Sequence, residues 1–279
     1  MPYLLLSIVA AVAMALIVKW GESRRQDRMT MMAWNYLAAT ALSGGAVLLG
    51  EGGAPAGFTL WLGAVTGVTY AGSLLLWMMI VPQAGLGVST AAMRLSVVWP
   101  ALVSIAAFGE VPSAFQSAGV LLAFVAIALL SRAGGVGARP LGARTVAWLA
   151  ALFVVSGGNG ALMKVFTEQG ASGQRPLFLA TIFLSAGIIC WSVLLLRRPR
   201  LRAGDTLRGA LFGVVNLAGN GLLLKALSEI PGVVAFPLRD SGVILLVSLA
   251  GVLLFRERPG AWGLAALAVA ALAVVSLSL

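Results

Sequence analysis

The sequence predicts an all-α integral membrane protein of about ten transmembrane helices, built as two inverted five-helix repeats. Three observations lead there. Of the 279 residues, 60% are hydrophobic and 10% charged, with a mean hydropathy of +1.01; a soluble domain carries about 25% charged residues to cover its surface. Apolar runs of about twenty residues recur along the chain, the length an α-helix needs to cross a bilayer core. Charged residues and glycines also recur between the two halves at a spacing of 145 to 147 positions.

Composition excludes several chemistries. With no histidine, imidazole bases, the usual histidine proton relays and histidine zinc sites are out. The one cysteine, Cys190, has no partner for an internal disulfide and lies in an apolar run, where a small packing role is expected. The 34 glycines suit close helix packing in a membrane. The net charge of +10 lies mostly in short loops, which points to membrane topology rather than nucleic acid. The first apolar stretch, from Pro2 to Val18, lacks a preceding basic region and a following cleavage site, so it reads as a retained helix.

The expected spans are roughly 2–20, 30–50, 58–81, 86–108 and 113–131, then 145–168, 176–196, 206–229, 232–255 and 260–278. This gives a first repeat over 1–131, a cytoplasmic linker over 132–144 and a second repeat over 145–279. Orientation follows from the loop cations. Arg24, Arg25, Arg28, Arg132, Arg139, Arg144, Arg197, Arg198, Arg200, Arg202, Arg208, Arg256 and Arg258 fall on one side of a ten-helix arrangement, and Arg175 alone on the other. The cation-rich side is cytoplasmic, so both termini are expected outside the cytoplasm of a bacterial inner membrane.

The repeat is visible residue by residue. Lys19 and Lys164 are 145 positions apart, as are Arg94 and Arg239. Gly63 and Gly67 match Gly209 and Gly213 at 146, and Glu110 matches Glu257 at 147. Five helices per repeat is an odd number, so the second repeat enters the membrane from the opposite face. That is an architecture of secondary transporters, with the substrate held between repeats near the midplane.

The lysine ending the first helix, the joints Gly109-Glu110-Val111-Pro112 and Arg256-Glu257-Arg258-Pro259, and the five-plus-five layout resemble the drug/metabolite transporter (DMT) superfamily, EamA-like branch. The resemblance covers nearly the whole chain. It implies ten helices around a central cavity lined mainly by the first, third, fourth, sixth, eighth and ninth, working by alternating access.

Five cations fall within expected spans: Lys19, Arg94, Lys164, Lys225 and Arg239, with Asp240 the acid well inside one. Charge at that depth costs at least about 2.5–3.5 kcal/mol on insertion scales, so such residues face a cavity or a partner. Arg94 lies about seven residues into its helix, about 10 Å deep at 1.5 Å per residue, and Arg239 is comparably deep from the other face. The guanidinium fork suits a carboxylate or phosphate, the alternative being a structural pairing. Asp240 has two readings: a structural ion pair, neutralising Lys164 or Lys225, or a proton-coupling carboxylate. Lys19, Lys164 and Lys225 lie near helix ends, where snorkelling competes with substrate binding.

Asn159, Asn216 and Asn220 sit mid-helix among glycines, and the last two share a helix face. They are candidates to line the site or to bond across to other helices. Asn35, Tyr36, Tyr70, Trp77 and Trp99 are lesser lining candidates, with packing the ordinary reading. Glu110 and Glu257, each followed by proline, read as helix starts.

The expected activity is secondary transport of a small metabolite carrying a negative group: an amino acid, a carboxylate or a phosphorylated compound. Alternatives are efflux of drugs or cations, and binding or flipping of a phosphorylated lipid. No nucleotide-binding loop, metal-ligand cluster or catalytic carboxylate pair is present in the sequence, so an enzyme and an ATP-driven pump are disfavoured. The partners expected are the solute, the lipid bilayer and a coupling proton or counter-substrate, without cofactor, metal or nucleic acid. Lys225 and Asp240 align with Met79 and Leu95, so the selective site is expected nearer the second repeat.

Overall fold

The apolar runs form helices. The computed structural model describes residues 1–22, 26–50, 56–84, 86–133, 142–197, 201–255 and 260–279. Within them lie α1 (Pro2–Glu22), α2 (Arg28–Leu48), α3 (Gly57–Ala84), α4 (Leu86–Leu95), α5 (Val98–Phe108) and α6 (Ala114–Ala133). There follow α7 (Ala143–Gln169), a 3-10 turn (Ser172–Gln174), α8 (Arg175–Arg197), α9 (Ala203–Leu227), α10 (Gly232–Phe255) and α11 (Ala261–Ser278). No strand occurs among the described residues.

Eight helical stretches among these residues are long and apolar enough to cross a bilayer, with α4 and α5 joined as one over Val88–Phe108. Large apolar side chains stand on the surface, Leu5 at 61%, Leu121 at 66% and Leu195 at 67% exposure, while Asn35, Thr66 and Lys164 are buried at 1% or less. Apolar outside and polar inside is the arrangement a lipid solvent favours. The chain is an all-α membrane protein.

The fourth span, expected as one helix over 86–108, is interrupted between Leu95 and Val98. Pro100 explains the break. It has no N–H for the Ser96 carbonyl, and its ring crowds that carbonyl. The Ser96 carbonyl instead accepts the Trp99 N–H at 3.0 Å, and the Ser96 hydroxyl donates to the Met93 carbonyl at 2.5 Å. Pro237 stands inside α10, which stays continuous.

The helices form two compact units, each drawing on both sequence halves. One comprises Met1–Ala71 and Val165–Glu229, the other Gly72–Lys164 and Ile230–Leu279.

In the first unit α2 packs on α8 and α9, and α1 packs on α9. Glycines set the closest approaches. On α3, Gly63 and Gly67 lie against Phe178, Thr181, Ile182 and Ser185 of α8. On α9, Gly209 and Gly213 lie against Met31, Trp34, Asn35 and Ala38 of α2. A side chain at any of the four would meet backbone, so the absent Cβ is what permits the contact. At the mouth of α2, Asp27 caps the helix, accepting from Thr30 N at 3.0 Å, and its own N–H donates to Asp205 at 3.3 Å. Asp205 also pairs with Arg208 at 3.3 Å.

In the second unit α6 packs along α11, where Gly119 meets Leu277, and α10 packs on α5, α6 and α11. Two α7 glycines approach the α4–α5 interruption: Gly157 lies against Ser96 and Trp99, and Gly160 against Pro100 and Phe236 of α10.

Arg24, Arg25, Arg139, Arg198, Arg200, Arg256 and Arg258, on which part of the orientation count rests, lie outside the described residues, as do Glu257 and most of the linker.

Candidate functional site

The second unit brings the interrupted helix, α7 and α10 together through contacts that follow from the sequence. Proline breaks α4 from α5, glycine lets α7 approach the break, and Phe236 ties α10 to the same spot. Arg94 lies in the last turn of α4, two residues before Ser96, where its charge also complements the free carbonyls of a helix end. Arg239 and Asp240 follow Phe236 by three and four residues on α10.

The Asp240 carboxylate lies within electrostatic reach of the Arg94 and Arg239 guanidinium groups. Yet none of the three forms an ion pair with another described residue. Arg239 Nε is buried without a hydrogen-bond partner among the described residues, as are the hydroxyls of Ser156 and Ser241 and Oδ1 of Asn159. Asn159 Nδ2 donates to Ser73 Oγ of α3 at 3.2 Å. Charged and polar groups buried in apolar surroundings are normally satisfied by partners. The unpartnered groups thus lie on α7 and on α10, the helix that carries Arg239 and Asp240, and a guanidinium fork is suited to carboxylate or phosphate oxygens.

The other sequence candidates are engaged elsewhere, and one suggested pairing needs correction: Asp240 does not neutralise Lys164. Lys164, 1% exposed at its side chain, pairs with Glu110 at 2.5 Å and sits 5.6 Å from the Phe108 ring centre. The Lys225 ammonium, on an exposed residue of the first unit, lies 4.0 Å from the centre of the Tyr3 ring, a cation–π contact. Lys19 is half-buried in the last turn of α1.

Glu110 starts no helix of its own. The start of α6 is capped by Ser113 and Gln116, each side chain bonding the other's backbone N–H, at 3.1 and 3.0 Å. The Glu110 carboxylate reaches across to α10 instead, accepting from the N–H groups of Gly232 and Val233 at 2.9 Å each. Burial pushes its carboxyl up. The Lys164 hydrogen bond, the two backbone amides and the lysine charge outweigh that and hold it below the usual carboxylate range.

In the first unit Asn216 and Asn220 join a buried chain. Asn216 Nδ2 donates to Asn35 Oδ1 at 3.0 Å, Asn220 Nδ2 to Asn216 Oδ1 at 2.7 Å, and Tyr70 OH to Asn220 Oδ1 at 2.9 Å. These bonds tie α2, α3 and α9 together. Asn35 Nδ2 remains without a partner among the described residues. Tyr36 packs on Phe183, Trp77 on the cluster of Ile80, Ala84 and Leu152, and Trp99 near Phe153. Ser73, Ser156 and Ser241 escaped sequence reasoning. The available signal was the position of Ser156 beside the glycine-asparagine segment and of Ser241 beside the arginine-aspartate pair; Ser73 had none.

No family model matches the chain. It is 26% identical over 268 residues to an uncharacterized protein of Haemophilus influenzae (strain ATCC 51907 / DSM 11121 / KW20 / Rd), covering 91% of this chain and 90% of that protein. One solved crystal structure superposes with a TM-score of 0.80 at 16% identity, covering 100% of this chain and 98% of the other. At that identity the likeness is one of fold.

Proposed function

We propose that the chain is an alternating-access secondary transporter of the DMT superfamily, EamA-like, that moves a small organic solute bearing a negative group across a bacterial inner membrane. The observation that carries this reading is the Arg94–Arg239–Asp240 cluster: two cations and one acid, without ion pairs among the described residues, beside an interrupted helix. Discontinuous helices mark substrate sites in transporters, because they free backbone groups at membrane depth.

In this reading α2 and α6 also cross the bilayer and complete ten spans, with α4 and α5 counted as one, and the packing supports inverted repeats. The Gly63/Gly67 seam joins the third span to the seventh. The Gly209/Gly213 seam joins the eighth to the second. Exchanging the halves turns one seam into the other. The same exchange relates Gly72 against Val155 to Gly219 against Ala10. In this reading the repeats are 1–131 and 145–279, the linker faces the cytoplasm, and both termini lie outside.

A thermal-shift screen of purified protein tests the substrate class. A ligand at 100 times its Kd stabilises the folded state by about 2.7 kcal/mol. Carboxylates or phosphorylated metabolites are expected to raise the melting temperature, and Arg239→Gln is expected to weaken that effect by about ten- to a hundredfold in concentration, the worth of a charge-assisted hydrogen bond. Stabilisation by cationic drugs alone, unchanged in Arg239→Gln, would overturn the anion reading. Stabilisation by a phosphorylated lipid alone would replace it with lipid handling.

A further inference from the structure

One carboxylate in the second unit fastens three elements. Glu110, two residues after α5, is held between the α10 N–H groups of Gly232 and Val233 and the Lys164 ammonium of α7. The bonding is divided, Oε1 serving Gly232 and Lys164 while Oε2 serves Val233. Gly232 itself lies against Ser104 of α5 and the methylenes of Lys164, at 3.1–3.2 Å from where a Cβ would stand. The first turn of α10 is thus pinned by a charged acceptor, and the Gly232 and Val233 N–H groups, which the helix itself leaves without acceptors, supply the complementary partial positive charge.

The surroundings isolate the carboxylate. Val98–Phe108 of α5 contains no titratable residue, nor does 230–238 leading into α10, where Arg239 and Asp240 come next, and α11 has none. On α7 the facing group is Lys164, with Glu168 four residues further along the chain. Glu229, three residues before Gly232, is exposed and paired with the Met1 amino group at 3.8 Å. Pro237 is the residue whose N–H would have bonded the Val233 carbonyl, so the first turn of α10 is also weakly tied to the rest of its helix.

We propose that Glu110 is a proton-operated latch on α10: ionised, it holds the first turn of that helix against α5 and Lys164, and protonated, it lets the turn go. The proton comes from water and binds the carboxylate. The carboxyl then keeps one good acceptor oxygen where three donors compete, and the Glu110–Lys164 ion pair is lost. Because Arg239 and Asp240 ride on α10, Glu110 acts as a positioning residue for them. The lowered carboxyl of Glu110 supports the direction, since the latch is closed at neutral pH and opens on acidification.

Amide hydrogen exchange on the full-length purified protein tests the latch without any substrate, so its failure is separate from failure of the transport reading. At pH 7, Glu110→Gln is expected to raise exchange over 232–236 by about tenfold, the scale of a lost charge-assisted hydrogen bond, with α6 and α11 unchanged. In the wild type the same amides are expected to keep their protection from pH 7 to 5 and to lose it as pH falls below 4.5 toward 2.5, after correction for intrinsic rates, and Glu110→Gln is expected to lack that pH dependence. Lys164→Met provides a second variant should Glu110→Gln fail to fold, and the wild-type titration needs no variant. Protection over 232–236 that is independent of pH in the wild type, or equal in wild type and variants, would overturn the proposal. So would loss of protection spread evenly over all helices.

Discussion

Replacing Gly67 with alanine puts a methyl group into a contact between α3 and α8 that has no room for it. The added Cβ would stand 2.7 Å from Ser185 Cβ and 3.1 Å from the Ala186 backbone nitrogen, with the Ile182 carbonyl nearer still. Ordinary carbon–carbon contact needs about 3.5–4.0 Å, a deficit of about 1 Å that rotamer changes cannot relieve, because two of the three atoms are backbone. Overpacking of this kind costs about 1–3 kcal/mol. Helix propensity offsets up to about 1 kcal/mol of it, since alanine is the better helix former. A net loss of about 1–2 kcal/mol is therefore expected for Gly67→Ala, and for Gly213→Ala on α9, where Ala38 Cβ would be 3.0 Å away. Gly158 is the control, for nothing lies within 4 Å of its Cβ position, and Gly158→Ala should be neutral or stabilising by up to about 1 kcal/mol. Thermal melts of the purified variants in one detergent give the comparison. If Gly67→Ala and Gly213→Ala melt with Gly158→Ala, the close seams are wrong.

Other expectations are as concrete. Asn216→Ala strands Asn35 Oδ1, while Asn220 Nδ2 keeps the Asn216 backbone carbonyl at 2.9 Å, and a double-mutant cycle with Asn35→Ala should show a coupling of about 1 kcal/mol, the usual scale for side-chain hydrogen bonds between membrane helices. Ser113→Ala removes half of the capping box of α6 and should lower stability by about 1 kcal/mol, with Ser113→Asp restoring it. Acid should destabilise the wild type through Glu110. Its folded carboxyl is lowered from 4.5, so its contribution is complete above that value and is lost as pH falls through the folded one. Melts between pH 7 and pH 3.5 should show a shallower acid slope for Glu110→Gln, and an equal slope would contradict the assignment. Lys225→Met should leave solute binding unchanged, because that ammonium sits on Tyr3, and a loss matching that of Arg239→Gln would return Lys225 to the site.

Helix positions were legible from hydropathy alone, because a bilayer demands long apolar runs and the chain supplies them. The glycines at 63, 67, 209 and 213 were legible as a repeat but not as seams, since spacing does not say which helix a glycine faces. Arg94, Arg239 and Asp240 stood out through the cost of charge at depth. The interruption at Ser96 was hidden: Pro100 marks a bend, but its depth in the helix depends on how the freed carbonyl finds another donor. Glu110 looked like a local helix start because proline follows it, whereas its partners are residues 164, 232 and 233. Tertiary bonds over such separations leave no periodic trace. Continuous apolar runs also carry little amphipathic signal, so no face of α7 or α10 could be assigned to the site beforehand.

On the proposed function, Arg94 and Arg239 bind a negatively charged solute that the protein carries across a bilayer. Uptake of a labelled anionic solute, chosen by the stabilisation screen, into proteoliposomes of wild type, Arg94→Gln and Arg239→Gln tests it most directly. Saturable uptake is expected of the wild type, with rates at least about tenfold lower in each variant at sub-saturating solute. Wild-type rates in both variants, or no uptake of any stabilising anion by the wild type, would contradict it.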